Sequence, residues 1–213
     1  MVADPLVPFR WLEASPGVGD REDLLGEIFC VSFFRGLEPA EVLRRFGAGR
    51  PGREKTFHEL RVKVWESAGM TGNDYVGVVQ VGEWGVAVEP GGFQAVLAEP
   101  LTGLSRGCEV VAVGRHDYAE DSFVYAVDGK VATSFTPHLP GTRWGSDPDR
   151  INELMRETGL PPEKLDEEEW EATWDDMYTN RISRAFLLAA KITGVVFTPS
   201  ILDGPLLVGA ISQ

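Results

Sequence analysis

Two short glycine motifs have the residue types of known catalytic and nucleotide-binding loops. Residues 103–107, GLSRG, match the G-x-S-x-G pattern, which places a nucleophilic serine on the sharp turn between a strand and a following helix. Residues 47–52, GAGRPG, match the G-x-G-x-x-G pattern, which binds a pyrophosphate where a strand leads into a helix. Both motifs follow predicted helices, and the second contains Pro51. We therefore predict that Ser105 is not catalytic and that residues 47–52 form a loop.

Four polar or aromatic residues at predicted strand ends and turns form another candidate for chemistry. If these ends meet, two guanidinium groups and a carboxylate beside an indole ring could hold an anion or a small polar ligand. In the alternative, the carboxylate pairs with one arginine and fixes two turns, because ion pairs are often structural. The four ligand-binding candidates are Arg35, Trp84, Glu89 and Arg106.

The stretch Leu165–Asp176, LDEEEWEATWDD, carries seven carboxylates and two tryptophans. Asp166 followed by Glu169 predicts a capping box at the start of a helix, where the helix dipole favours acidic residues. At about 100° per residue, Trp170 and Trp174 fall on the side predicted to face the core. Carboxylates that diverge around a helix do not form a metal site. We expect the acids of the opposite side to be solvated and able to steer a basic partner. These partner-binding candidates are Glu168, Glu169, Asp175 and Asp176.

The formal charge of the chain is −13, from 20 basic and 33 acidic residues. A surface this acidic repels phosphate backbones, so we expect no nucleic acid as a partner and consider a basic protein instead. No segment approaches the roughly eighteen apolar residues of a membrane span, and the N-terminal residues lack the pattern of a signal peptide. We therefore expect a cytoplasmic protein with no membrane partner, in an oligomeric state that the sequence leaves open.

Cysteine and histidine usage argues against a metal centre. Cys30 and Cys108 lie in apolar, strand-like runs, where we expect buried free thiols in a reducing compartment. The histidines show no ligand spacing to these cysteines or to one another. We accordingly predict no metal and no cofactor. The three histidines are His58, His116 and His138.

The strands that must position these residues are short and consecutive. Residues 27–35 form an apolar run typical of a strand that is buried on both faces. Further strands are predicted at 75–82, 84–90 and 108–116, and their tight turns favour antiparallel pairing. Residues 57–67 permit either a strand or a helix.

A hairpin is predicted over residues 122–137, SFVYAVDGKVATSFTP. A two-residue turn at Asp128-Gly129 would mix polar and apolar side chains on each face of the hairpin. We favour a three-residue loop, Val127–Gly129, because it separates polar from apolar side chains better. Its apolar face would comprise Phe123, Tyr125, Val131 and Phe135.

Helices are predicted where capping residues precede an apolar period. Pro39 begins a short helix that ends at Gly47, and Asp147 with Pro148 begins another. The last helix is expected to run from Asp166 to about Thr193, where Gly194 stops it. The apolar tail after this glycine is expected to pack back on the sheet.

These elements predict one α+β domain over residues 1–213. We expect a largely antiparallel meander sheet of roughly five to seven strands, with helices on one face and a helical C-terminal third. Within this domain, residues 50–74 are interpreted as a mobile insertion and residues 160–180 as the acidic start of the last helix.

Several blocks of the sequence occur in a specific order. They are FFRGLEPAEVLRRFGA, WGVAVEPGGF, LSRG, FVYAVDGKVATSFTP, GSDPDR and KITGVVFTPSIL. Together they resemble a family of uncharacterised actinobacterial proteins, a domain of unknown function, over most of the chain. Residues 50–74 and 160–180 depart from that pattern. The resemblance implies a soluble bacterial protein and supplies no activity, cofactor or catalytic residue.

Three functional hypotheses follow from these features. The leading one is a non-catalytic acidic binding protein, most concretely an immunity-like inhibitor of a basic toxin or enzyme. The alternative is a small-ligand-binding protein or an enzyme with a polar pocket at strand ends. The third is a scaffold piece that assembles through the apolar tail, residues 201–211.

Overall fold

The computed structural model describes residues 4–13, 24–49, 53–67 and 73–212. In these ranges the protein forms one nine-stranded sheet with the order β2-β9-β3-β4-β1-β5-β6-β7-β8, and every neighbouring pair is antiparallel. The strands are β1 (Ile28–Arg35), β2 (Arg53–Lys55), β3 (Asn73–Val81), β4 (Trp84–Pro90), β5 (Glu109–His116), β6 (Ser122–Val127), β7 (Lys130–Phe135), β8 (Arg143–Trp144) and β9 (Leu206–Ser212).

Six α-helices accompany the sheet in the described ranges, so the predicted α+β class is confirmed. Short 3-10 helices also form at Val7–Leu12, Gln94–Val96 and Pro199–Leu202. No described helix combines the length and the apolar character that crossing a bilayer requires. The helices are α1 (Pro39–Arg45), α2 (Phe57–Ser67), α3 (Ala98–Leu104), α4 (Asn152–Glu157), α5 (Glu167–Thr179) and α6 (Arg181–Thr193).

The sheet is a meander interrupted by two inserted strands. β3–β4 and β5–β6–β7–β8 connect as neighbours, while β1 lies between β4 and β5. β9 lies between β2 and β3, so the apolar tail packs into the sheet, as predicted. Leu206, Val208 and Ile211 of this strand are buried and are not available as a surface for assembly. The strand count exceeds the prediction because β2 and β8 are very short and β9 was not predicted as a strand.

Helices cover both faces of the sheet, whereas we expected them on one face. Side chains alternate between the two faces of a strand. Phe29, Val31 and Phe33 of β1 therefore face a core that includes α6. Cys30 and Phe34 face a second core under α1 and α3. β1 is therefore buried on both faces of the sheet, as its continuous apolar run predicted.

The β6–β7 hairpin differs from the register that we favoured. Val127 pairs with Lys130, so Asp128 and Gly129 form a two-residue turn. Both turn residues have positive φ, 48° and 77°, the backbone that an Asp-Gly sequence favours in a tight hairpin.

A β-bulge then restores the separation of polar and apolar faces. The register shifts between Tyr125 and Ala126, since a bulge opposes two residues to one. Phe123 consequently pairs with Phe135, with ring centroids 5.0 Å apart. Val131, predicted on this apolar face, lies on the other one.

The long C-terminal helix predicted over residues 166–193 is two helices, separated at Asn180. This residue has φ −107° and ψ 14°. Its side-chain amide donates to the main-chain and side-chain oxygens of Asp176 at 3.2 and 2.8 Å, a competition that disfavours asparagine inside helices. The predicted end at Gly194 is confirmed by a left-handed φ of 73°.

α4 begins later than the predicted start at Asp147 and Pro148. The main chain of Asp147 is bonded to β7 instead. Its amide donates to the carbonyl of Ala132 at 3.0 Å, and its carbonyl accepts from Thr133 Oγ1 at 2.9 Å. These bonds hold Asp147 against the sheet, so the helix starts only at Asn152.

Part of the predicted insertion is built into the fold. Residues 53–67 form β2 and α2, and Phe57 and Leu60 of α2 are buried. The alternative between strand and helix for residues 57–67 is therefore resolved as a helix. Residues 50–52 and 68–72 lie outside the described part of the chain.

Candidate functional site

A polar pocket of about 300 Å³ lies where the end of β5 meets the N-terminal 3-10 helix and the junction of α5 and α6. Its lining is dominated by charged and titratable side chains. Concave sites on which a few polar groups converge are the common form of small-ligand sites. The titratable lining residues are Glu13, Arg115, His116, Asp117, Asp121, His138, Tyr178 and Arg181.

The alternation of β5 places Arg115 on a face of the sheet that carries a core. Val111 and Val113 are fully buried on this face, and Arg115 follows them with 5% of its surface exposed. Its Nε donates to Asp117 Oδ1 at 3.0 Å, and its Nη1 donates to the carbonyl of Leu12 at 3.2 Å. A buried guanidinium needs such partners because desolvating a charge is costly. The pocket wall is thus built around this arginine.

The turn between β5 and β6 supplies the most buried ion pair of the described residues. One oxygen of Asp121 accepts from the main-chain amide of His116 at 3.0 Å. The other accepts from Nε of Arg181 at 2.5 Å, and the two side chains are 5% and 14% exposed. Burial opposes the charged form of Arg181, but the Asp121 carboxylate outweighs it and raises the pKa of Arg181 above its ordinary value.

The helix break at Asn180 makes Arg181 the first residue of α6 and directs its guanidinium back over the end of α5. Nη1 donates to the carbonyl of Tyr178 at 2.8 Å. The guanidinium carbon lies 4.3 Å from the centroid of the Tyr178 ring, within the range of a cation–π interaction. Arg181 therefore joins the β5–β6 turn to both helices.

Glu13 follows the N-terminal 3-10 helix, and its side chain caps the start of α6, which is distant in sequence. Its Oε1 accepts from the main-chain amide of Ser183 at 2.6 Å, one of the first-turn amides that a helix leaves without an internal partner. Asn180, the N-cap residue, makes no capping bond with its side chain. Burial raises the pKa of Glu13, and the Ser183 bond and the nearby Arg181 charge only partly offset this effect.

His138 forms the part of the pocket that contacts α5. Its ring centroid lies 5.9 Å from that of Trp174 and 6.1 Å from that of Tyr178. Its Nδ1 is buried and has no hydrogen-bond partner within the described chain. Burial lowers the pKa of His138, although the Asp121 carboxylate acts in the opposite direction. The imidazole is therefore predominantly neutral near pH 7 and keeps one unused polar atom.

The aromatic side chains of α5 form a row along the helix, whereas we predicted its tryptophans as core anchors. Ring centroids are 5.2 Å apart for Trp170 and Trp174 and 5.4 Å apart for Trp174 and Tyr178. Trp174 is 37% exposed and Tyr178 is 46% exposed, while Met177 is the buried residue of α5. Because α5 lies along the edge of the core, its aromatic side is only partly covered.

The acidic face predicted on α5 is present, and its four members, Glu168, Glu169, Asp175 and Asp176, are exposed. Two of them have structural partners. Glu169 completes the predicted capping box with Asp166, and Asp176 pairs with Arg184 at 2.5 Å. The other two make no ion pair with the part of the chain that the structure describes.

The four residues predicted to hold a small ligand do not all converge. Arg35 and Trp84 are paired positions of β1 and β4, and the guanidinium lies 6.0 Å from the indole centroid. Arg35 forms exposed ion pairs with Glu83 and Glu109. Arg106 is exposed in the turn before β5.

Glu89 lies at the other end of β4, about 16 Å along the strand from Trp84. The five-residue separation also puts the two side chains on opposite faces of the sheet. Glu89 is 1% exposed, and its carboxylate accepts from the main-chain amides of Gln94 and Ala95 at 2.9 and 3.2 Å. It therefore fixes the turn after β4 through these two amides.

The glycine motifs do not have the geometry of active sites. Ser105 is fully buried at the end of α3, where its Oγ donates to the carbonyl of Leu101 at 2.8 Å. Its motif runs from helix to strand, as predicted, and so offers no exposed nucleophile. In the second motif, residues 47–49 follow α1 and residues 50–52 lie outside the described chain.

Both cysteines are free thiols. Cys30 is buried, as predicted, whereas Cys108 is half-buried and accepts a hydrogen bond from Arg45 Nη1 at 3.3 Å. In the described ranges, no group of three or more His, Cys, Asp or Glu side chains is arranged to hold a metal ion.

A larger cavity of about 600 Å³ lies between α2 and the ends of β1 and β4. Size alone would favour it as a ligand site. Its lining is mostly apolar, however, and includes Trp65, which is 83% exposed. The smaller polar pocket offers more groups that could fix the orientation of a ligand, so we regard it as the candidate site.

The polar pocket could be predicted from the sequence only in part. The apolar run of β5 leads into Arg115, two residues after the core-facing Val113, and a charge at a core-facing position signals a buried partner. Nothing local connects Glu13 with α6, since the residues of their hydrogen bond are 170 positions apart.

Comparisons with known proteins give a family and no activity. A family model described as a family of unknown function (DUF6461) matches residues 8–211. No curated protein and no solved structure matches the chain. The matched range includes every residue that lines the polar pocket.

Proposed function

We propose a function from the polar pocket itself, because the chain belongs to the family of unknown function DUF6461 and this membership assigns no activity. In this proposal the protein binds a small polar ligand at the end of β5. The observation that carries it is the convergence of oppositely charged and titratable side chains on one cavity of about 300 Å³. This volume falls at the lower end of the range for small-ligand sites, roughly 300–1,000 Å³.

Two features of the pocket favour a ligand over a purely structural cluster. Burial raises the pKa of Glu13 and lowers the pKa of His138, so both groups resist ionisation in the same cavity. Perturbed groups of this kind concentrate at functional sites. In addition, the buried Nδ1 of His138 lacks a partner in the described chain, and buried polar atoms normally have one.

A ligand screen by thermal shift tests the proposal. At a concentration of 100 Kd, a ligand of the folded state adds about 2.7 kcal/mol, or roughly 5–11 °C for a chain of this size. We expect a stabilising compound to lose its effect in His138→Gln and to keep it in His58→Gln, a matched change on α2. If a broad metabolite set contains no stabiliser, or if the stabilisers shift the Tm of His138→Gln as much as that of the wild-type protein, the proposal is wrong.

A second candidate function is recognition of a basic protein through α5, with immunity-like inhibition of a basic toxin or enzyme as its most concrete form. Glu168 and Asp175 are exposed without an ion pair in the described chain, on the same helix as the partly exposed rings of Trp174 and Tyr178. Carboxylates steer a positive partner and aromatic faces attract cations. The net charge of −13 supports the same choice of partner.

Charge reversal on α5 tests this second candidate. An arginine-rich peptide should quench the tryptophan fluorescence of the wild-type protein in a salt-dependent way. The double variant Glu168→Lys and Asp175→Lys should bind the peptide at least tenfold more weakly. Reversal of Glu54 and Glu99, two exposed acids elsewhere on the protein, is the control. Equal affinities of the two double variants would exclude α5 as the binding surface.

We also propose a bacterial, actinobacterial origin and a cytoplasmic location. The origin follows from the resemblance of the sequence blocks described above. The location is supported by the two free thiols, because free cysteines persist in reducing compartments. Fractionation of the source cells would test the location, and recovery from the culture medium would contradict it.

A further inference from the structure

The polar pocket has one unmatched negative charge. Its lining contains three carboxylates and two guanidinium groups, which leaves 3 − 2 = 1 negative charge when all three carboxylates are ionised and the histidines are neutral. Asp117 and Asp121 pair with Arg115 and Arg181 at 3.0 and 2.5 Å. The remaining carboxylate, Glu13, accepts from a main-chain amide and forms no ion pair within the described chain. A cation is the ligand that would complete the charge balance.

The unused polar atom of the pocket suits a hydrogen-bond donor. The buried Nδ1 of His138 has no partner in the described chain, and in the tautomer that carries the ring proton on Nε2 this atom is the hydrogen-bond acceptor of the neutral imidazole. A protonated amine carries up to three donors, which is enough to bond to both this imidazole and the Glu13 carboxylate of the same pocket. An anionic ligand would instead meet the Glu13 charge and two guanidinium groups that already pair with carboxylates.

Aromatic side chains border the same part of the pocket. His138 contacts Trp174 and Tyr178, and ring faces attract cations. The aromatic row continues to Trp170, which lines a second cleft of about 350 Å³ together with Leu139 and Leu165. His138 lines the polar pocket and the next residue, Leu139, lines the cleft, so this segment of the chain reaches both cavities.

We propose that the polar pocket binds the protonated amine of a small organic cation, whose apolar part lies along Trp174 and Trp170 toward the second cleft. This inference rests on the proposed function and names the ligand class. The amine donates to the Glu13 carboxylate and the His138 imidazole. The aromatic row covers the apolar part of the ligand, and the net charge of −13 raises the local concentration of cations.

Calorimetric titration of the full chain with compounds of similar shape and different charge tests the ligand class. The probes are 2-phenylethylamine as the cation, 2-phenylethanol as the neutral compound and 3-phenylpropanoate as the anion. We expect the amine to bind at least tenfold more tightly than the other two. Glu13→Gln should weaken the amine at least tenfold, while Glu99→Gln, which removes an exposed carboxylate on α3, should leave its affinity unchanged.

Because Glu13 also caps α6, its substitution affects both folding and binding. A second variant tests binding without changing this cap. Trp174→Ala changes a partly exposed ring outside the buried core. It should weaken 2-phenylethylamine more than butylamine, which has the amine without the ring. Equal losses for both amines, or no loss, would overturn the placement along the aromatic row.

The outcomes separate this inference from the proposal on which it rests. If the alcohol or the anion binds the wild-type protein at least as tightly as the amine, the amine inference is overturned and the pocket remains a ligand site. If none of the three probes binds and the metabolite screen also finds no stabiliser, both proposals fall.

Discussion

The Asp121–Arg181 ion pair provides the sharpest test of how the pocket is built. Its atoms are 2.5 Å apart, and the two side chains are 5% and 14% exposed. Asp121→Asn keeps the shape of the side chain and removes its charge, which leaves the guanidinium of Arg181 largely buried without a counter-ion. Removing one partner of a buried pair costs about 3–5 kcal/mol. We expect about 3 kcal/mol, since the amide oxygen of asparagine can still accept a hydrogen bond.

An exposed ion pair of the same length is the matched control. Arg156 and Glu163 are also 2.5 Å apart, but their side chains are 51% and 55% exposed. Solvent screens such pairs, so Glu163→Gln should cost far less than Asp121→Asn. The two variants therefore compare burial at constant distance. In a chain of this size the expected loss of stability lowers the Tm by about 6–12 °C for Asp121→Asn, whereas the Tm of Glu163→Gln should stay close to that of the wild-type protein.

Urea denaturation followed by tryptophan fluorescence gives the free energies of unfolding, provided that the m-values of the variants agree. A double-mutant cycle with Arg181→Met isolates the energy of the pair, because the double variant no longer carries an unpaired buried charge. We expect the double variant to be more stable than the sum of the single losses implies. Additive losses, or an Asp121→Asn variant as stable as Glu163→Gln, would refute the reasoning.

Three further predictions concern residues that the structure places in defined roles. Glu89→Ala leaves the part-buried amide of Gln94 and the buried amide of Ala95 without their acceptor. It should cost about 2 kcal/mol or more in urea denaturation; an unchanged midpoint would contradict this role. Asp166→Ala removes the capping box of α5 and should cost about 1 kcal/mol of stability. Amide exchange in the first turn of α5 should become faster, and unchanged exchange would argue against the cap. Because the pKa of His138 is lowered in the folded protein, the unfolded chain binds a proton at this imidazole at a higher pH than the folded protein does. Stability should therefore fall as pH drops from about 6.5 through the folded-state pKa, and His138→Gln should flatten that slope between pH 7 and pH 5.

Much of the sheet could be predicted because its strands carry local signals. The apolar runs of β1 and β5 follow directly from burial on both faces of the sheet. The order of the strands could not be predicted in the same way. β1 lies between β4 and β5, and β9 returns from the C-terminal end to lie between β2 and β3, so both insertions depend on contacts between distant parts of the chain.

The β6–β7 hairpin shows how two valid local rules compete. Alternation favoured a three-residue loop, while Asp128-Gly129 favoured a two-residue turn. The two-residue turn forms because a β-bulge at Tyr125 and Ala126 brings the apolar side chains back onto one face of the hairpin. A register derived from alternation alone therefore fails wherever a bulge can absorb the mismatch.

The aromatic row on α5 exposes a limit of helical periodicity. The period correctly placed Trp170, Trp174 and Met177 on the same side of the helix. It could not show whether another element covers that side, and only Met177 is buried in α5. The capping box of Asp166 and Glu169, in contrast, was predictable because its partners are three residues apart.

The break at Asn180 connects these local features to the candidate site. In a continuous helix, the amide of Ser183 would donate to the carbonyl of Thr179 four residues earlier. Glu13 would then face a helix without a free amide, and the loss of this donor would raise the pKa of the buried carboxylate further. The break frees the first-turn amides of α6, so Glu13 gains the Ser183 bond that favours its charged form. The unmatched charge of the pocket thus depends on where one helix ends, which no pattern of apolar residues in residues 166–193 reveals.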